Sequence, residues 1–213
     1  MSDKMKLYLS SYRIPTPQDL FELIGKNPAQ ITVALIPNAK DYYAKRARDF
    51  RVNDMAEYLK SLLLQVAIVD LRDYEDEVQL EKKLLEYGII WAMGGNTFCL
   101  RYEMKRSGFE NIIQNVLAKG VVYGGDSAGA AVAGVNLKGI ELADEPEFAE
   151  EVIWDGLNLI PNYILPHVGN ETFGDTIEQI KQAQSDKSLL IELTDSQAYV
   201  FNNGVGQVVD GEK

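Results

Sequence analysis

Short, nearly continuous apolar runs alternate along the chain with longer stretches whose apolar positions recur at helical spacing. "KLYLSS" (6–11), "ITVALIP" (31–37), "VAIVDL" (66–71), "GIIWAMGG" (88–95) and "VVYGG" (121–125) read as strands buried on both faces, the signature of a parallel sheet. Residues 17–26, 40–64, 75–87 and 97–118 read as helices, the second of them as one long amphipathic helix, "KDYYAKRARDFRVNDMAEYLKSLLL". Strand–helix repetition with short connections implies right-handed crossovers. The expected fold is an α/β protein, a three-layer α/β/α sandwich on a mostly parallel, doubly wound sheet.

After residue 127 the pattern loosens. "NLKGIELA" (136–143) reads as a strand, the acidic "DEPEFAEE" (144–151) as an exposed segment, and "YILPHV" (163–168) as a strand that ends at a proline. A helix is expected over 173–185. "LLIELTDSQAYVFNNGVGQVV" (189–209) reads as an antiparallel ribbon turning at Asn202-Asn203-Gly204. No internal repeat or linker interrupts the chain, so residues 1–213 are expected to form a single domain.

Composition narrows the function. A net charge of −11 argues against a nucleic-acid surface and against docking on anionic lipid. No apolar run has the length of a membrane span, and the opening "MSDKMKLYLSSYRIP" lacks the layout of a secretory leader, which points to the cytoplasm. With one cysteine and one histidine, neither a disulfide framework nor a zinc site of the usual kind can be assembled within the chain. The carboxylates show no recognisable ligand spacing, so no metal or cofactor is expected. A monomer and a homodimer both fit.

Two loops carry candidate chemistry. Ligands of an open parallel sheet bind beyond the carboxyl ends of its strands. At one such end, "GGNTF" (94–98) leads into a helix with Asn96 or Thr97 at its N-cap, and its backbone amides favour an anion. At another, "GDSAG" (125–129) fits the G-x-S-x-G elbow, in which a serine is displayed on a tight strand-to-helix turn. Small neighbours suit that turn, and the amide of Ala128 would face a developing oxyanion. A serine needs a base, and His167 in "LPHVGN" is the one imidazole available. Asp144, Asp155 and Asp195 compete to orient it, whereas Asp126 adjoins the serine too closely to reach the far ring nitrogen. Cys99 reads as a packing residue.

"GGNTF", "GDSAGA", "WDGLNLIP" and "LPH", in this order and spacing, resemble the dipeptidase E peptidases, the S51 serine peptidase family that also holds the more distant cyanophycinases. The resemblance implies a class I glutamine amidotransferase-like fold over most of the chain. It makes Ser127 the nucleophile, His167 the base and Asp144 the matching acid, with Asp195 kept in view because some relatives take the acid from nearer the C-terminus. Gly95 and Ala128 would supply the oxyanion amides, and Asn96 would contact substrate. The chain departs from the aspartyl dipeptidases in "DTIEQ" (175–179), where Ile177 replaces the arginine expected to pair with an N-terminal aspartate; Lys181 and Lys187 are the nearby cations. The reading is a serine-type peptidase for short peptides, without a secure preference for aspartate. The alternatives are an esterase or amidase on the same triad, or a non-catalytic small-molecule binding protein.

Overall fold

Each apolar run forms a strand, and the computed structural model describes residues 5–184 and 186–211. Residues 1–4, part of the opening read for a leader, and residue 185, the last of the helix expected over 173–185, lie outside them. The chain runs β1 (Lys6–Ser10), α1 (Pro17–Ile24), β2 (Thr32–Ile36), α2 (Lys45–Ser61), β3 (Gln65–Ile68), α3 (Glu77–Leu84) and β4 (Ile89–Ala92). It continues with α4 (Thr97–Arg106), α5 (Phe109–Ala118), β5 (Val122–Asp126) and the single turn α6 (Ala128–Ala131). Then come β6 (Tyr163–Leu165), α7 (Gly174–Ala183), β7 (Leu190–Glu192), β8 (Gln197–Asn202) and β9 (Val205–Asp210).

Seven strands form one sheet in the order β3-β2-β4-β5-β1-β8-β9. Strands β1 to β5 pair in parallel, and the β8–β9 hairpin adds antiparallel to β1. Alternate side chains of the strands feed two cores. Leu7 and Leu9 of β1 join Phe98, Met104, Ile113 and Val116 on the face covered by α3, α4, α5 and α6. Tyr8, between them, packs with Leu20, Val52, Leu59 and Trp91 on the face covered by α1 and α2. The result is the three-layer α/β/α sandwich that the apolar runs predict.

Several elements differ from the sequence expectation, each for a tertiary reason. The helix expected over 40–64 begins at Lys45, because Asn38–Lys40 closes a 3-10 turn of its own. Asn38 Nδ2 donates to Asp41 Oδ2 (2.8 Å) and Asp70 Oδ1 (2.9 Å), which ties this turn to the end of β3. The stretch 97–118 is two helices, broken where Gly108 takes φ 74°. No strand forms over 136–143: Gly139 is left-handed (φ 93°), and Ile140–Leu142 is a 3-10 turn. Within 189–209, β7 pairs in parallel with β6 in a separate two-stranded sheet. Only β8 and β9 form the antiparallel hairpin, with Asn203 (φ 51°) and Gly204 (φ 92°) in a two-residue turn.

Gly125 in β5 and Gly129 in α6 set how closely α6 lies on the sheet. A Cβ on Gly129 would fall 2.0 Å from the Ala92 carbonyl oxygen of β4, and one on Gly125 would fall 2.6 Å from the Gly129 backbone. Backbone against backbone leaves no room for relief. Gly129→Ala is therefore expected to destabilise the protein by at least ~1–3 kcal/mol, as overpacked cores do, read as a lowered melting midpoint. An unchanged midpoint would contradict this packing account.

Candidate active site

Ser127 stands at the turn from β5 to α6 with φ 51° and ψ −111°, a backbone region that few residues other than glycine occupy. The turn is pinned: the Ser127 amide donates to the Ser10 carbonyl (3.0 Å), and the Ser127 carbonyl accepts from Ala130 and Ala131. Strain held by a rigid surround in this way is characteristic of functional positions. It displays the hydroxyl above the carboxyl ends of β1, β4 and β5, where the topology predicts a ligand.

His167 reaches the same edge from the end of β6 and also has a left-handed backbone (φ 63°). Its Nε2 lies 2.9 Å from Ser127 Oγ and its Nδ1 lies 2.7 Å from Asp195 Oδ1. With Nδ1–H donating to the carboxylate, Nε2 is free to accept the serine proton. The ring stacks on Phe173 at 4.8 Å between centroids, which fixes its plane. The loops bearing His167 and Asp195 are laced together by backbone bonds, Val168 to Leu193 (3.0 Å) and Leu193 to Leu165 (2.9 Å).

Asp195, not Asp144, therefore faces the imidazole. Asp144 Oδ2 instead accepts from the Thr97 amide (2.8 Å) and hydroxyl (2.5 Å), closing the first turn of α4. Burial raises the Asp144 pKa, against the opposing effect of the Thr97 bonds. Asp155 is exposed, its backbone bridges to Asn136, and the carboxylate bonded to the histidine is that of Asp195. Asp126 is buried and accepts from Trp91 Nε1 (2.9 Å). Cys99 is packed inside, its thiol pushed up to about 12 by burial and by the surrounding carboxylates.

Partial burial works against the charge of Asp195, but donors outweigh it. Asn170 Nδ2 (2.6 Å), Ser11 Oγ (2.8 Å) and the imidazole hold the carboxyl below its ordinary range. Ser11 also accepts from the His167 amide (2.7 Å), so one hydroxyl braces both members of the pair. The sequence reading missed Ser11, Asn170 and Phe173. The available signals were the position of Ser11 just past β1 and the nearness of Asn170 and Phe173 to the histidine in "PHVGNETF".

The predicted oxyanion groups converge on Ser127. Gly95 (φ 144°) and Ala128 line a cavity of about 290 Å³ together with Ser127 and His167. Among the described residues neither of their amides donates to another protein group. Gly95 is required where it stands, since a Cβ there would lie 2.2 Å from the Ala39 oxygen. Asn96 also borders the cavity, but it caps α4: Oδ1 accepts from the Cys99 amide and Nδ2 donates to the Glu145 carbonyl, each at 2.9 Å. These two bonds hold this loop and the acidic 144–151 segment together. Leu165, Ile177 and Ile180 form the apolar wall, and Asp144 and Glu145 bring carboxylates to it. Among the described residues no cluster of three metal-ligating side chains occurs, and no helix is long and apolar enough to cross a membrane.

Comparison with known proteins identifies the family and the fold. The family model described as peptidase family S51 matches residues 10–209. The uncharacterized peptidase Lmo0363 of Listeria monocytogenes is 31% identical over 196 residues, 92% of each chain. A peptidase E of Pasteurella multocida is 26% identical over 204 residues, covering 95% of this chain and 80% of that one. Among solved structures, a candidate peptidase E of Listeria monocytogenes EGD-e superposes with a TM-score of 0.85 at 27% identity, covering 98% and 99% of the two chains. A peptidase from an acI-B1 Actinobacterium shares the fold, with a TM-score of 0.73 at 19% identity over 98% of this chain and 88% of that one.

The depressed Asp195 pKa has a testable consequence for stability. Its contribution is complete above the unfolded-state value of about 3.9 and is lost as the pH falls through the lower folded-state value. Thermal melts should place the wild-type protein above Asp195→Asn at neutral pH, with the gap closing below about pH 4. A gap that persists unchanged into strong acid would contradict the assignment.

Proposed function

Because the chain belongs to peptidase family S51, we propose that it is a serine-type peptidase that cleaves short peptides through an acyl-enzyme on Ser127. The observation that carries this reading is the continuous chain from Ser127 Oγ to His167 (2.9 Å) to Asp195 (2.7 Å), beside two amides free to receive an oxyanion. His167 Nε2 takes the hydroxyl proton as Oγ attacks the scissile carbonyl. The Gly95 and Ala128 amides stabilise the tetrahedral oxygen, a contribution of roughly 3 kcal/mol for one such donor. Asp195 holds the ring tautomer and stabilises the imidazolium, which then protonates the leaving amine. Water, activated by the same imidazole, releases the acyl group.

The cavity walled by Leu165, Ile177 and Ile180 suits the side chain of the acyl residue. Ile177, 3% exposed, packs with Leu165 and Ile180 in its wall, where an arginine would be needed to hold an aspartate. Lys181 does not compensate: it pairs with Glu178 (3.2 Å) and Glu192 (2.9 Å), and neither it nor Lys187 lines the cavity. A substrate carboxylate would instead meet Asp144 and Glu145. Apolar residues, with an ammonium drawn to those carboxylates, fit better than aspartate.

A dipeptide panel analysed by mass spectrometry tests both claims. Leu-Xaa members should be cleaved faster than Asp-Xaa members, and Ser127→Ala should remove the activity. Faster cleavage of Asp-Xaa would overturn the specificity reading, and turnover by Ser127→Ala would overturn the mechanism. Asp195→Asn should lower kcat by roughly 10³–10⁴-fold by favouring the wrong tautomer. Asp144→Asn should act chiefly on KM. If the larger loss of kcat fell on Asp144→Asn, the triad drawn here would be wrong.

A further inference from the structure

Ser127 borders a second, more open cavity of about 410 Å³, and one lysine lies in its wall. Lys40 ends the 3-10 turn after β2 and shares this cavity with Ser127, His167, Gly95 and Tyr12. Among the described residues no carboxylate stands within ion-pair distance of its ammonium, and Lys40 Nζ donates no hydrogen bond. The side chain is half-buried; burial lowers its pKa, opposed by Asp126 at longer range. In a chain of net charge −11, a cation left unpaired beside a candidate nucleophile has no evident structural duty.

The surroundings are built to keep it there. Asn38 is fully buried and bonds Asp41 and Asp70, which Arg48 joins at 2.6 Å each. The next residue, Ala39, accepts the Asn96 amide at 2.8 Å, and Gly95 packs backbone to backbone against it. The turn carrying Lys40 and the loop carrying the Gly95 amide are thus fastened to each other. The acidic groups of the cavity are already engaged by other donors: Asp126 by Trp91 and Asp195 by Asn170, Ser11 and His167. An adjoining hollow of about 160 Å³ adds Arg51, whose guanidinium lies over the Tyr43 ring at 4.4 Å, and Arg13, neutralised by Asp54 at 2.9 Å.

We propose that Lys40 is a specificity-determining residue that binds the C-terminal carboxylate of the substrate on the leaving side, with Arg51 reinforcing the positive field. This rests on Ser127 as the point of attack. The cavity walled by Leu165, Ile177 and Ile180 takes the acyl residue, so the leaving residue occupies the more open one. An extended residue spans about 3.3–3.6 Å, so the carboxylate of a dipeptide lies one residue past the scissile bond, within the cavity that Ser127 and Lys40 share. A charge-assisted bond there rewards a chain terminus and leaves an internal peptide bond unrewarded. The enzyme is then selective for very short peptides because it reads where the chain ends.

Binding to the Ser127→Ala protein separates this inference from the catalytic one. Calorimetry with Leu-Ala and with its C-terminal amide, leucyl-alaninamide, should show the acid bound at least about tenfold tighter. The preference should vanish in Ser127→Ala/Lys40→Gln, persist in Ser127→Ala/Lys40→Arg and shrink with added salt. Equal affinity for acid and amide, no binding of either, or a preference that survives Lys40→Gln would overturn the assignment. Selective binding of the acid alongside a wild-type protein that hydrolyses neither peptide would uphold Lys40 and overturn the peptidase mechanism instead.

Discussion

The site depends on one close approach: the backbone of α6 lies directly on the end of β4, with Gly129 against Ala92 and Gly125 against Gly129. Side chains at either glycine would lift the helix from the sheet. With the helix held down, the chain has one residue in which to turn, and that residue is Ser127 in a left-handed, strained conformation. The strain is sustained by well-buried neighbours and by the Ser10 carbonyl that holds the Ser127 amide. The packing of small residues thus sets the turn that displays the Ser127 hydroxyl before any titratable group is considered.

The polar groups above that turn are organised in two braces. Ser11, Asn170 and Phe173 fix Asp195 and His167, so the imidazole meets the hydroxyl in one orientation. On the other side, Asn38, Asp41, Arg48 and Asp70 lock the turn against which Gly95 packs. Both braces use buried or half-buried charged hydrogen bonds, which are costly when incomplete and rigid when satisfied. Their completeness fits a site whose donors have to be in place before substrate arrives.

Much of this is legible in the sequence, because the fully buried strands β1, β2, β4 and β5 are uninterrupted apolar runs and the elbow is a local motif. What is hidden depends on contacts distant in sequence. The break before α2 comes from the clamp between Asn38 and Asp70, and no local signal separates residues 40–44 from the helix that follows. The same holds for the acid. Asp144 has the expected order between serine and histidine, but its carboxylate is taken by Thr97. Asp195 arrives through the pairing of β7 with β6, which sets its loop beside that of His167. That small sheet is too short to announce itself in periodicity.

The central claim is that Ser127 is activated by His167 and Asp195. It is tested most directly by exposing the protein to diisopropyl fluorophosphate and mapping the adduct by peptide mass spectrometry. The account predicts a single adduct on Ser127, formed much more slowly in Asp195→Asn and absent in His167→Ala. An unmodified Ser127, or labelling that proceeds at the same rate in all three proteins, would contradict it.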